Sequence, residues 1–114
     1  MLNSLAARHK DLRTDIKAVL DRLVDLLPPL QAHYYHPKMM GSWSIKAVLP
    51  AVWPALSYEA LGQVKDGGAA QEAYAETLQP DCTVERRAEL QRALLAYCKL
   101  DTDAMLGVVR TLSA

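Results

Sequence analysis

The sequence predicts a mainly α protein, and three observations carry this prediction. Its 114 residues, 51% of them hydrophobic, are enough for one core and too few for two separate domains. Apolar residues recur at three- and four-residue steps along most of the chain, as in amphipathic helices. No stretch of strict apolar and polar alternation indicates an exposed strand, and no internal repeat is present. We therefore expect one helical domain or half-domain over residues 1–114.

The first long amphipathic helix is predicted to extend to a pair of prolines. Pro28 and Pro29 donate no backbone hydrogen bond, so they interrupt this helix and can begin the next one. The apolar run before them, LVDLL, is also compatible with a short strand. The positions that follow helical spacing are Leu12, Ile16, Val19, Leu20, Leu23 and Leu27.

The middle of the chain predicts short helices separated by prolines and glycines. HPKMMGSW indicates a loop, after which Ser42 or Ser44 can cap a helix through SIKAVLPAVW that is strained or ended at Pro50. SYEALGQV predicts a short helical turn, KDGG a break or hinge, and AAQEAYAETL a further helix that ends near Pro80. A last helix is predicted to begin near Thr83.

Charge and cysteine content exclude several classes of protein. Thirteen basic residues balance thirteen acidic ones, so the chain lacks the positive field of a dedicated nucleic-acid-binding domain. The start, MLNSLAARHKDLR, does not resemble a secretory signal, and no apolar span approaches membrane length. We expect a cytoplasmic protein without membrane contact. Cys82 and Cys98 lack metal-type spacing and are expected to be reduced thiols, with Cys98 packed in the core.

Asp101 lies unexpectedly within the apolar stripe of the last predicted helix. At about 100° per residue, the apolar positions fall within about 60° of Leu90, and Asp101 falls about 20° from it. Asp103 points to the opposite side, as a solvated acid would. The apolar positions of this stripe are Leu90, Leu94, Tyr97, Met105, Val108 and Leu112.

Three interpretations account for a carboxylate in this setting, which is costly unless a donor or cation compensates. The helix could break near Leu100, so that Asp101 caps a new helix. Asp101 could instead face a buried basic partner such as Arg13 or Arg110. The third interpretation is a divalent metal, which prefers hard oxygen ligands.

Tyr97 lies one helical turn before Asp101, so a phenol and a carboxylate can reach the same small volume. This chemistry suits phosphodiester hydrolysis, in which a carboxylate holds the metal and a phenol orients the attacking water. The stretch YCKLDTDAM resembles the third motif of the DnaQ-like 3′-to-5′ exonucleases, in the subgroup with tyrosine. The resemblance implies catalytic roles for Tyr97 and Asp101, with Asp101 as a ligand of Mg²⁺ or Mn²⁺ and nucleic acid as the partner of the complete domain.

Further stretches resemble the C-terminal part of an uncharacterised bacterial family whose larger members contain such a nuclease domain. They are RLVDLLPPLQAHYYHP, GSWSIKAVLP, LSYEAL, DGGAAQEAY and LLAYCKLDT, and together they span residues 22–112. These nucleases need an Asp-x-Glu pair on a strand, and this chain contains none. The resemblance therefore implies the helical C-terminal half of a ribonuclease H-like α/β domain whose catalytic sheet is largely absent. We expect no efficient hydrolysis by this chain alone.

Other residues are weaker candidates. The pair in HYYHP could hold a metal but has no evident third ligand, and a solvated loop or helix end is the simpler reading. The aromatic and basic residues around it could bind a single strand, although core packing explains the aromatics more simply. Asp25 can satisfy the backbone before the prolines. The histidine pair is His33 and His36, and the aromatic and basic residues are Tyr34, Tyr35, Lys38, Trp43 and Lys46.

Two functions from different classes follow from these patterns. In the first, the chain is a nuclease-related segment that carries the Tyr-x-x-x-Asp motif. In the second, it is a stand-alone helical interaction module without catalysis. A half-domain exposes apolar surface, so the second function predicts a homo-dimer or a partner protein that covers this surface.

Overall fold

The computed structural model describes all of residues 1–114 and contains only helices and connecting turns, which confirms the mainly α prediction. The six α-helices are α1 (Leu2–Arg8), α2 (Arg13–Leu20), α3 (Leu27–His33), α4 (Ile45–Val52), α5 (Gly67–Thr77) and α6 (Val84–Ser113). Short 3-10 helices cover Lys10–Leu12, Pro37–Met39 and Tyr58–Leu61.

The prediction of one amphipathic helix up to Leu27 is wrong, because α2 ends at Leu20. The chain then turns, and α3 begins at Leu27 with the two prolines in its first turn. A proline there is favourable because the first helical N–H groups need no intrahelical acceptor, whereas a continuing helix would clash with the proline ring. Asp25 satisfies the backbone before the prolines as predicted, since its Oδ1 accepts from Leu27 N at 2.9 Å. LVDLL forms no strand.

Three polar side chains begin the helices that follow. Ser44 Oγ accepts from Ala47 N and caps α4, as the sequence predicts. Thr83 Oγ1 accepts from Arg86 N and caps α6, which begins at Val84, near the predicted start. The prediction that KDGG is a break or hinge is wrong for its two glycines, which are helical. Asp66 caps α5 through a 2.8 Å bond from Ala69 N, so both glycines lie in the first turn of that helix.

Pro50 does not end α4, which continues to Val52. Its missing N–H leaves the carbonyl of Lys46 without the usual helical donor. Both residues are exposed, so water can reach this carbonyl. The strain predicted at Pro50 is therefore tolerated on the solvent side. α4 ends at Val52, and its C-cap Trp53 directly precedes Pro54.

Helix α6 runs the length of the core and contributes to each of its three buried clusters. Val108 packs with residues of α3 and α4, and Leu100 and Ala104 pack with Leu49 and Tyr58. Leu90 packs with Val64 and with Ala73 of α5. The upstream segments are therefore held together mainly through their contacts with one long helix.

Much apolar surface remains uncovered. The radius of gyration is 17.4 Å, whereas a compact domain of this length has about 13 Å. Helices α1 and α2 pack mainly on each other and on the 3-10 turn between them. Only 14 of the 114 residues are buried, and the exposed side chains include Leu23, Val24 and Leu95. None of the helices combines the length and apolar character needed to cross a membrane.

Candidate functional site

Asp101 lies in the interior of α6, which is continuous from Val84 to Ser113. The interpretation of Asp101 as the cap of a new helix is therefore wrong. The helix does not break because the residues around Asp101 pack firmly, with Leu100 and Ala104 both buried against α4 and the 3-10 helix at Tyr58. The carboxylate is compensated by another group.

That group is the phenol of Tyr58, whose hydroxyl donates to Asp101 Oδ1 at 2.5 Å. No salt bridge joins Asp101 to a basic residue, so the interpretation with Arg13 or Arg110 as its partner is also wrong. The 3-10 helix Tyr58–Leu61 carries the tyrosine, and Ser57 fixes its start by accepting from Glu59 N. A neutral donor thus takes the place of the cation that the sequence suggested.

The buried face of α6 is rotated around the helix axis relative to the predicted apolar stripe. The buried residues Leu90, Leu100, Ala104, Gly107 and Val108 centre about 45° from Leu90, on the side away from Met105. Met105 is consequently exposed, and Asp101 lies at the border of the buried face rather than at its centre. Asp101 is therefore half-buried.

Tyr97 and Asp101 lie together as the sequence predicts, and Tyr58 joins them. The rings of Tyr58 and Tyr97 are tilted by 57°, with centroids 6.1 Å apart. Burial and the nearby Asp101 raise the pKa of both phenols above the ordinary value of 10.0, and the effect is larger for Tyr58. Across from Tyr97 lies the start of α5, where a Cβ added at Gly67 would be 4.0 Å from the Tyr97 hydroxyl.

A cleft of about 300 Å³ opens beside Tyr58, between α4 and the start of α5. Its charges balance, because Lys46 lies 4.0 Å from Asp66 and Lys65 lies 3.4 Å from Glu59. The pKa of Asp66 is held below its usual range chiefly by the hydrogen bond from the Ala69 backbone. A cleft with this balance has no strong preference for anions or cations.

The residues present do not form a complete metal site. No group of three or more His, Cys, Asp or Glu side chains is placed to hold an ion. Asp101 has two phenols as its polar neighbours, and one of its oxygens already accepts from Tyr58. A hydrated Mg²⁺ or Mn²⁺ needs at least one carboxylate ligand, which Asp101 could supply. Two-metal hydrolysis needs further carboxylates.

The structure separates the weaker candidates. His33 is exposed in the last turn of α3, and His36 accepts from Lys38 N through Nδ1, so the two lie at helix ends as expected. The aromatics are only partly packed. Trp43 donates to the Tyr34 carbonyl, while Tyr35 is exposed with its ring 6.4 Å from that of Trp43.

The prediction that Cys98 is a core thiol is wrong, because it is exposed on the outer side of α6. It lies about 80° from Leu90, on the side opposite to the displacement of the buried face. Cys82 is partly buried, and both thiols are free.

Tyr58 is the functional-site residue that the sequence reasoning missed. The sequence predicts a short helical turn at SYEAL, but nothing in its spacing relates Tyr58 to a residue 43 positions later. The available signal was indirect. A carboxylate on a buried helix face requires a hydrogen-bond donor, and a tyrosine can supply one. Tyr58 is the tyrosine that directly follows a serine able to begin a helical turn.

Comparison with known proteins adds one finding. The profile of the family described as a domain of unknown function, DUF2779, matches residues 1–44, which include α1 to α3 and end before α4. No curated protein and no solved structure matches the chain. The match does not reach Tyr58, Tyr97 or Asp101, so it assigns no role to them.

The raised pKa values predict loss of stability at alkaline pH. Below about pH 9 both phenols are neutral in the folded and unfolded chain, so their contribution is complete. Above this pH the unfolded chain loses these protons first, which favours unfolding. We expect the free energy of unfolding, measured with urea, to fall from about pH 9 to 11. The fall should be smaller in Tyr58→Phe and unchanged in the exposed control Tyr74→Phe. Equal slopes for all three proteins would contradict this account.

Proposed function

We propose that this chain is a nuclease-related helical segment that presents Tyr97 and Asp101 as one side of a metal-dependent phosphodiesterase site. The observation that supports this most is the position of the pair. The two side chains lie one turn apart on a continuous helix, and Asp101 stands at the border of the buried face with part of its surface accessible. A ligand for a shared metal has to occupy such a border, because it is oriented by the protein and still reachable.

Tyr58 supports the same role by orientation. Its hydrogen bond to Oδ1 orients the carboxylate, so a metal would be held through Oδ2. Tyr97 is the phenol that would orient water or a phosphate oxygen. The remaining carboxylates of a DnaQ-like site, and the sheet that carries them, would have to come from other polypeptide. Nucleic acid would be the substrate of the assembled domain, and we expect no efficient hydrolysis without that assembly.

A titration with Mn²⁺ tests the proposed ligand. Mn²⁺ broadens the amide resonances of nearby residues, and we expect selective broadening around Asp101 and Tyr97 at millimolar metal, since one carboxylate binds weakly. Asp101→Asn should abolish it. Asp103→Asn is the matched control because Asp103 is paired with Lys99 at 2.6 Å on another side of the same helix. Absence of local broadening, or its persistence in Asp101→Asn, would refute the proposal.

The second candidate is a helical interaction module without catalysis. It is favoured by the uncovered apolar side chains, such as Val24 between α2 and α3 and Leu95 on α6. The two candidates are compatible, because a half-site needs a partner. The cytoplasm is the compartment that we propose for either, and two free cysteines agree with a reducing environment.

A further inference from the structure

Helix α6 carries a second stripe on its outer side, separate from the face that carries Tyr97 and Asp101. Eight residues recur at alternating steps of four and three, the spacing of a coiled-coil seam. None of them is charged. We call this stripe the outer seam, and its residues are Val84, Ala88, Gln91, Leu95, Cys98, Thr102, Met105 and Val109.

The outer seam faces away from the rest of the molecule. Its centre lies about 155° around the helix from the centre of the buried α6 residues. Val84 and Leu95 are 76% and 71% exposed, Met105 and Val109 are exposed as well, and Ala88 alone is partly covered. A second helix could therefore lie along the whole seam without displacing α4 or α5.

We propose that the outer seam is a self-association surface on which α6 of a second copy packs antiparallel. In an antiparallel pair the two alternate positions of the seam face each other. In one register all eight residues of each copy are paired at once. The pairs form layers of four kinds, each of which occurs twice. Val84 meets Val109, Ala88 meets Met105, Gln91 meets Thr102, and Leu95 meets Cys98, each on the opposite copy.

The composition of these layers supports a second copy in this orientation. The smallest residue, Ala88, meets the longest apolar one, Met105, so the layers have similar total volume. The two polar residues meet each other, and the Thr102 oxygen, whose hydroxyl donates to the Cys98 carbonyl, can accept from the Gln91 amide. A parallel pair would instead place Ala88 on Ala88 and Met105 on Met105, which leaves one layer thin and another crowded. Antiparallel helix dipoles also attract each other.

The charged residues beside the outer seam and the size of the seam determine how tightly the two copies are expected to bind. Arg92 would approach Lys99 of the second copy, but Lys99 is already paired with Asp103 at 2.6 Å, which reduces the repulsion. The seam is about 38 Å long and about 10 Å wide on each helix, which is smaller than a standard specific interface and typical of a weak one. We therefore expect a reversible dimer whose population depends on protein concentration.

This inference does not depend on the chemistry of Tyr97 and Asp101, and it gives the interaction-module function a defined surface. Light scattering and sedimentation should show a monomer–dimer equilibrium at submillimolar concentration. Leu95→Lys should weaken it at least tenfold, because a charge is placed in a central layer. Leu78→Lys is the control, since Leu78 is also exposed but lies at the end of α5. A strict monomer would overturn the proposal and leave the seam for a different partner. The Mn²⁺ titration would still test the proposed ligand.

Disulfide trapping tests the orientation. In a background with Cys82→Ser and Cys98→Ser, the pair Ala88→Cys and Met105→Cys should give covalent dimers under mild oxidation. Within one copy these positions are about 25 Å apart and cannot bridge. Each single variant should give no covalent dimer, whereas a parallel pair would cross-link either one alone.

The pair Glu89→Cys and Ala96→Cys provides the trapping control, because both residues are exposed on α6 outside the seam. It should cross-link no more than the background protein. Cross-linking by the single variants would overturn the antiparallel arrangement. Equal cross-linking by the control pair would overturn the seam itself.

Discussion

Leu49→Ala is expected to lower the free energy of unfolding by about 2–5 kcal/mol, one of the two largest effects we predict. Leu49 is fully buried, and it packs with Leu100 and Ala104 of α6 and with the ring of Tyr58. Its truncation removes apolar contacts and leaves a cavity that the long, continuous α6 can close only in part. Because the same cluster carries Tyr58, the substitution should also loosen the support of the Asp101 carboxylate.

Urea denaturation monitored by circular dichroism measures this effect, and Leu78→Ala provides a control of identical chemistry. Leu78 is 66% exposed at the end of α5, so its truncation should change the free energy of unfolding by no more than about 0.5 kcal/mol. Similar losses for the two variants would mean that the cluster around Leu49 is not the core described above.

Tyr58→Phe is expected to cost about 1–3 kcal/mol of stability, because the partly buried Asp101 carboxylate loses its hydrogen-bond donor. Asp101→Leu leaves the Tyr58 hydroxyl unpaired and should be destabilising for the same reason. When both are replaced, neither polar group remains unsatisfied, so the double variant should lose less than the two single variants together.

The double-mutant cycle measures this coupling directly, and we expect it to be about 1 kcal/mol or more. Tyr74→Phe combined with Asp101→Leu is the matched control cycle, because Tyr74 is exposed and its hydroxyl forms no hydrogen bond with Asp101. Additive losses for Tyr58 and Asp101 would show that the hydrogen bond contributes nothing to folding.

Much of the local structure could be predicted from short-range chemistry. Ser44 and Thr83 begin helices because a side-chain oxygen can accept from a backbone N–H within the next turn, and this depends only on nearby residues. The same chemistry was overlooked at Asp66, where the two following glycines obscured the cap. The end of α2 was also missed, because the apolar spacing continues through a turn whose residues Leu23 and Val24 are exposed.

The site could be predicted only as far as one helix extends. Tyr97 and Asp101 are neighbours because of helical geometry, which the sequence contains. The direction in which α6 turns its buried face depends on α4 and on the Tyr58 segment, and helical periodicity does not contain that information. The displacement of the face toward Leu100 and Gly107 accounts for the exposure of Met105 and Cys98, and the donor from Tyr58 depends on a contact across 43 residues.

The position of α6 after the other five helices has a consequence for biosynthesis. Every buried cluster includes at least one α6 residue, so none can be completed while only the preceding segments have emerged from the ribosome. During translation the core residues Leu30, Val48 and Leu49 of α3 and α4 lack their α6 neighbours and are open to aggregation or to a chaperone. Ribosome-bound chains that stop before Val84 should therefore remain sensitive to proteases, and protection should arise only after α6 has been made.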